Sequence, residues 1–155
     1  MKIVMANDHA AVELKWAIKA YVEELGHEVI NLGNDDASDR LDNYAEYGVK
    51  AARAVAAHEA DCGILICGTG VGISLAANKV HGIRAAVCSE PATARLVKQH
   101  NDANILCFGA RIVGLELAKD IVRAYLTATF DGGRHADRVA YVMNIEKEEA
   151  LKEKA

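Results

Sequence analysis

Asp61-Cys62-Gly63-Ile64-Leu65-Ile66-Cys67-Gly68-Thr69-Gly70-Val71-Gly72-Ile73-Ser74 decides how the rest of the chain is read. Residues 62–66 form an apolar run of strand length. After Cys67, glycines at 68, 70 and 72 alternate with Thr69 and Val71. Residues 73–78 then read as a short helix. A buried strand feeding a Gly-rich turn that opens a helix is an anion-binding arrangement. Its glycines let the backbone approach a ligand closely, and the free N–H groups at the helix start favour negative charge. The field that holds an oxyanion also favours a thiolate, and Cys67 stands at the mouth of this turn.

Outward from this stretch, strands alternate with helices. Residues 2–6 are a short apolar strand ending at Asn7-Asp8-His9. Residues 11–25 have helical periodicity through Val12, Leu14, Ile18, Val22 and Leu25, closed by Gly26. A second strand over 28–32 leads into a polar, acidic loop over 34–43, and an Ala-rich helix occupies 44–57. A fourth strand spans 83–88. Pro91 suits the first turn of a helix running to His100. A fifth strand covers 104–108, with Gly109-Ala110-Arg111 at its C-terminal end. A helix over 114–127 is followed by a break at Asp131-Gly132-Gly133 and a last helix from Arg134 to near Glu148. The charged run 146–155 reads as a solvated helix end. This order implies an α/β fold, a parallel sheet covered on both faces. Ligands of such folds sit beyond the C-terminal strand ends, at a switch point in strand order. Asp8, His9, the 34–44 loop, residues 67–72 and Arg111 all fall at that end.

The 155 residues fit one domain, 1–155. A formal charge of -4 argues against a nucleic-acid partner, which calls for a basic stripe. No apolar run is long enough to span a bilayer, and residues 1–6 are too short for a signal segment. Cysteines 62, 67, 88 and 107 contain no CxxC pair, which fits free thiols in a reducing cytoplasmic setting. The histidines at 9, 27, 58, 81, 100 and 135 have no metal-ligand spacing, so neither a metal nor another cofactor is expected.

Three familiar Gly-rich loops compete for the turn. A dinucleotide fingerprint needs G-x-G-x-x-G after the first strand, whereas this turn is G-x-G-x-G after the third. A nucleotide P-loop needs a Gly-Lys-Ser/Thr ending, which is absent. A thiol phosphatase loop would carry arginine where Ile73 stands. What survives is a cradle of backbone donors beside a thiol, suited to holding an enediolate while the thiolate moves a proton. Asp8 and His9 either form a surface turn, with Asp8 as an N-cap, or reach the same crevice. His100-Asn101-Asp102 is either a plain helix end or a catalytic element. Arg134 and Arg138, spaced i, i+4, are either a solvated edge or a phosphate clamp, with Arg111 as a third member.

Together these pieces resemble the type B ribose-5-phosphate isomerase family, within a wider group that includes galactose-6-phosphate isomerase subunits. The resemblance runs over residues 2–148. It rests on 63–74, Ala77-Asn78-Lys79, Gly82-Ile83-Arg84-Ala85, Cys88-Ser89-Glu90-Pro91, His100-Asn101-Asp102, Gly109-Ala110-Arg111 and Gly132-Gly133-Arg134-His135. It implies a Rossmann-like three-layer α/β/α sandwich with a five-stranded parallel sheet. It also implies a homodimer, sometimes paired into a tetramer, and an aldose–ketose isomerisation without metal. The helix from Pro91 returns toward the opposite end of the sheet, so His100 is expected too far from its own Cys67, and each active site is expected to be shared between two subunits. Cys67 would be the base that takes the C2 proton and returns it at C1. Thr69 and the amides of Gly68, Gly70, Val71 and Gly72 would hold the enediolate. His100 would assist ring opening, with Asp8 nearby. His9, Arg134 and Arg138 would bind phosphate, joined by Arg111. Asn101 and Tyr44 would line the sugar site.

Two departures bear on the substrate. The chain has Asp8-His9-Ala10-Ala11 where the family usually has Asp-His-Ala-Gly, and Asn43-Tyr44-Ala45 where it has Asp-Tyr-Pro. Allose 6-phosphate, galactose 6-phosphate and a tetrose phosphate therefore stay open beside ribose 5-phosphate, as does a non-catalytic sugar-phosphate sensor. Cys67 favours the enzyme, because a sensor has no use for a thiolate beside an oxyanion cradle.

Overall fold

A computed structural model describes residues 1–152 of the chain. Five parallel strands, β1 (Lys2–Asn7), β2 (Glu28–Asn31), β3 (Cys62–Cys67), β4 (Ala85–Val87) and β5 (Ile105–Gly109), form one sheet in the order β2-β1-β3-β5-β4. The chain leaves β1 toward one edge and returns on its other side as β3, so the switch point lies between β1 and β3. Alternation along the strands divides two cores. Ile3, Met5, Ile64, Ile66, Leu106 and Phe108 face α1 (Val12–Glu24), α4 (Pro91–Asn101) and α5 (Leu115–Thr127). Val4, Ala6, Leu65, Cys67, Ile105 and Cys107 face α2 (Tyr44–Ala56) and α3 (Val71–Ala77). Each fully enclosed isoleucine or leucine of these layers contributes roughly 1.5–3 kcal/mol relative to exposure. The result is the expected three-layer α/β/α sandwich.

Several boundaries differ from the sequence reading, each for a local reason. The first helix is preceded by a 3-10 turn, His9–Ala11, which Asp8 caps through a bond from the Ala10 N–H to Oδ1 (3.0 Å). α3 starts at Val71 rather than 73, because Gly70 at φ 81 completes the reversal in one residue. β4 is shorter than 83–88. The Arg84 N–H is drawn to Asn104 Oδ1 (2.8 Å), which holds the entry to β4 as a turn. The last helix, α6 (Arg134–Lys152), runs past Glu148. The charged run is thus helical through 152, and its last residues, 153–155, lie outside the described part. α6 lies against α4 and buries none of its residues fully, leaving Tyr141 (72%) and Leu151 (69%) exposed. Among the described residues no helix is long and apolar enough to cross a membrane.

Candidate active site

β3 delivers Cys67 to the C-terminal edge of the sheet, between β1 and β5. The register sets Asn7 beside Ile66 and Gly109 beside Cys67. Asp8, Cys67 and Arg111 therefore emerge side by side. The turn after Cys67 folds back over the thiol, and the Gly70 N–H donates to Sγ at 3.2 Å. That geometry requires glycine at 70. A Cβ there would stand 2.7 Å from the Phe108 carbonyl carbon, and φ is in the left-handed region. The Val71 N–H is held by Thr69 Oγ1 (3.3 Å), while among the described residues the N–H groups of Gly68, Thr69 and Gly72 meet no acceptor. Those open donors belong to the same turn that folds over the sulfur. Burial pushes the thiols of Cys62 and Cys88 up to about 11 and that of Cys107 well above its ordinary value.

Two side chains lean on the turn. The Tyr44 ring, at the start of α2, lies where a Cβ on Gly72 would be (2.6 Å). The Arg111 guanidinium rests over Gly68, 3.3 Å from the equivalent position. Its backbone is fixed by bonds from the Arg111 N–H to the Gly68 carbonyl (3.0 Å) and from the Ala110 N–H to the Cys67 carbonyl (2.8 Å). Asp8 caps the turn at the end of β1, beside this cradle. Burial raises its carboxyl above the usual range, and the Asp42 charge adds to this against the opposing Ala10, His9 and Arg111 interactions.

The 34–43 loop contributes residues that carry no signal in the sequence. Asp42 accepts from the His9 backbone N–H (2.7 Å), from His9 Nδ1 (2.5 Å) and from Asn34 Nδ2 (2.7 Å). Burial works to raise the Asp42 carboxyl, but the bonds from Asn34 and His9 outweigh it and hold the group ionised, below its ordinary value. An ionised carboxylate only accepts, so Nδ1 of His9 carries the proton and Nε2 faces outward. There His9, Arg40 and Arg111 line a recess of about 250 Å³. The loop is anchored beneath by Lys15, whose side chain is wholly enclosed. Its ammonium binds Asp35 and Asn31 Oδ1 (3.3 Å) and lies 3.9 Å from the Trp16 ring centroid.

The remaining expected residues lie elsewhere. His100 and Asn101 end α4, with Asp102 in a left-handed cap held by Arg84. They stand at the N-terminal end of β5, and that strand's length of roughly 13 Å separates them from the level of Cys67. Arg138 joins them on a cavity of about 490 Å³ that also includes Ile83, Val97 and Val139. Arg134 opens α6 beside it. His100 stacks on His135 with centroids 4.2 Å apart and planes 2° from parallel, and its Nε2 is 4.0 Å from Asp131 Oδ2. The His135 imidazole is held below its ordinary value by desolvation and by the charges of His100, Arg134 and Arg138. The expected residues thus fall into two groups at opposite ends of the sheet. Cys67, Thr69, Gly68, Gly70, Val71, Gly72, Asp8, His9, Tyr44 and Arg111 form one; His100, Asn101, Arg134 and Arg138 form the other.

A thiol under the amides of a Gly-rich turn, at the switch point of a Rossmann-like sheet, defines an α/β protein with an anion-binding crevice. Residues 3–142 match the Ribose/Galactose Isomerase family, and the chain belongs to it. Ribose-5-phosphate isomerase B of Escherichia coli K12 is 56% identical over 146 residues, covering 94% of this chain and 97% of the relative. A Clostridium thermocellum ribose-5-phosphate isomerase B structure superposes with a TM-score of 0.93 at 50% identity, covering 96% of this chain and 99% of that one. The Mycoplasma genitalium ribose-5-phosphate isomerase B structure with bound ribulose 5-phosphate gives 0.90 at 38% identity, covering 95% and 97%.

Proposed function

We propose that this chain, as a single 1–155 domain, interconverts ribose 5-phosphate and ribulose 5-phosphate through an enediolate, with Cys67 as the base. The observation that carries the reading is the Gly70 amide on Cys67 Sγ, beside open donors and opposite Asp8. His100 donates the proton that helps open the sugar ring. The Cys67 thiolate then takes the proton from C2, and the pair of electrons left behind moves the charge onto O1. Thr69 and the amides of 68–72 hold that oxyanion where it forms. Asp8, whose carboxyl is raised by burial and so holds a proton more readily than an ordinary aspartate, shifts the hydroxyl proton from O2 to O1. The thiol returns its proton to C1. His9, Arg111, Arg134 and Arg138 hold the phosphate, and Tyr44 and Asn101 line the sugar. No step uses a metal or a cofactor.

This scheme needs both half-sites at one sugar, and a single chain holds them at opposite ends of its sheet. We therefore read the working unit as a homodimer in which each site joins Cys67 of one subunit to His100 of the other. A two-fold axis creates two such sites at once. The direct test is an aldose-to-ketose assay across four-, five- and six-carbon sugar phosphates. Turnover of ribose 5-phosphate above the others is expected. Preference for another length would overturn the sugar assignment, and no turnover of any of them would leave the sensor reading in its place.

A further inference from the structure

His100, Asp131 and His135 bring two imidazoles and a carboxylate to one point. Their ligand atoms lie within 4.8 Å of one another, the only such group of histidine, cysteine or acidic side chains among the described residues. The backbone that carries them is well held. The Asp131 N–H bonds the Gln99 carbonyl (2.9 Å), fastening the 131–133 loop to the last turn of α4. The His135 N–H bonds the Gly132 carbonyl (3.0 Å), fixing the first turn of α6. His100 and Asp131 are both partly open to solvent, at 40% and 46% of the side chain. A small ion therefore has a way in, and the rings can turn without disturbing either core.

We propose that His100, Asp131 and His135 form a binding site for a divalent transition-metal ion, Zn2+ by chemistry, and that an ion bound there inhibits the isomerase. Two imidazole nitrogens with one carboxylate oxygen, leaving a position open, is a donor set that suits zinc. Metal–nitrogen bonds of about 2.0–2.1 Å require the stacked rings to fan apart so that their lone pairs converge. The guanidiniums of Arg134 and Arg138 oppose a cation nearby. The site is consequently a reversible regulatory one and not a structural zinc. Inhibition follows from occupancy: an imidazole whose nitrogen is bound to the ion has no proton there to donate. This half of the proposal rests on the reading of His100 as the ring-opening donor. The ion is no part of the catalytic scheme, so removing it restores activity.

Binding and inhibition are tested separately. Full-length Cys67→Ala protein, which lacks the thiol beneath the Gly-rich turn as a competing ligand, is titrated with Co2+ by visible absorption and with Zn2+ by calorimetry. One ion per chain is expected, with affinity reduced at least about tenfold in added His135→Gln or Asp131→Asn. Thermal melts establish that these variants are folded. No binding, or equal binding in both variants, would overturn the site. In otherwise unaltered enzyme, Zn2+ should slow turnover of ribose 5-phosphate more than that of ribulose 5-phosphate, which has no ring to open. A chelator should reverse the effect, and His135→Gln should blunt it. Inhibition that persists in His135→Gln would mean that Cys67 is the target and would overturn the proposal. Variant-sensitive binding with unchanged turnover in both directions would keep the site, overturn the inhibition, and remove His100 from ring opening.

Discussion

Replacing Asp42 by asparagine isolates what the Asp42–His9 pair does for substrate. The change is isosteric, but it turns one carboxylate oxygen into an NH2 group. Oδ2 serves two donors, the His9 N–H and Asn34 Nδ2, so the surviving carbonyl is best used there. The new NH2 then faces His9 Nδ1, which must give up its proton and accept. The ring is locked as the neutral tautomer, because an imidazolium would set N–H against N–H. If His9 reads the phosphate as a cation, the variant loses one charge-assisted hydrogen bond to ligand, about 1.5–3 kcal/mol. That corresponds to a rise in KM of about 10- to 150-fold. Two of the three bonds at position 42 survive and the third is remade in the reverse direction without its charge, so the fold should weaken by only about 1–2 kcal/mol. Steady-state kinetics with ribose 5-phosphate, calorimetry with inorganic phosphate and a thermal melt measure all of this. KM should rise within that range while kcat changes little. An unchanged KM in a folded variant would refute the argument. A fall in kcat alone would move His9 from phosphate binding to proton transfer.

Cys67→Ala should lower kcat by about 10²–10⁴-fold, while Cys62→Ala, Cys88→Ala and Cys107→Ala keep their turnover per folded molecule; near-normal kcat in Cys67→Ala would remove it as the base. Arg134→Ala and Arg138→Ala should weaken ribose 5-phosphate strongly and free ribose little, and equal losses for the two sugars would make the arginines structural. Cys67→Ala and His100→Ala, each nearly inactive alone, should on co-expression recover roughly a quarter of wild-type sites, since a mixed dimer holds one intact site and one doubly defective site. No recovery from verified mixed dimers would place both residues within one subunit's site, or His100 outside any site. Asp8→Asn tests the raised carboxyl. A group whose folded pKa is raised stabilises fully below its unfolded pKa and loses that contribution as pH climbs through the folded one, so ionised Asp8 opposes folding at neutrality. The asparagine keeps an oxygen for the Ala10 N–H, so the variant should melt higher than wild type at pH 7, with no difference near pH 3, and turn over more slowly. A lower melting temperature at pH 7 would contradict this.

The strand–turn–helix unit was legible because its signals are local: an apolar run, a thiol, and glycines at fixed spacing. The separation of His100 from Cys67 was legible too, since parallel strands and a returning helix leave no choice about which end His100 occupies. Asp42 and Arg40 were not. In the sequence they are two charges among many in a polar loop, and only the bonds to His9 and Asn34 single out Asp42. The His100–Asp131–His135 group escaped for another reason. Its members come from a helix end, a glycine-flanked loop and the next helix start, and no helical or strand periodicity relates them. The bounds of β4 were read too wide because Ile83 is apolar and buried whether or not it pairs.

Lys15 gives the loop over the phosphate recess a built-in clock. Its amine is sealed under Asp35 and Asn31 and against Trp16, so an acylating reagent that marks surface lysines within minutes meets it only when that cover lifts. The labelling rate at this one position therefore reports the free energy of a local opening, separately from unfolding of the whole chain. Sugar phosphate held by His9 and Arg111 would keep the cover down, and the slowing of Lys15 acylation would measure ligand affinity in a protein that is not turning over.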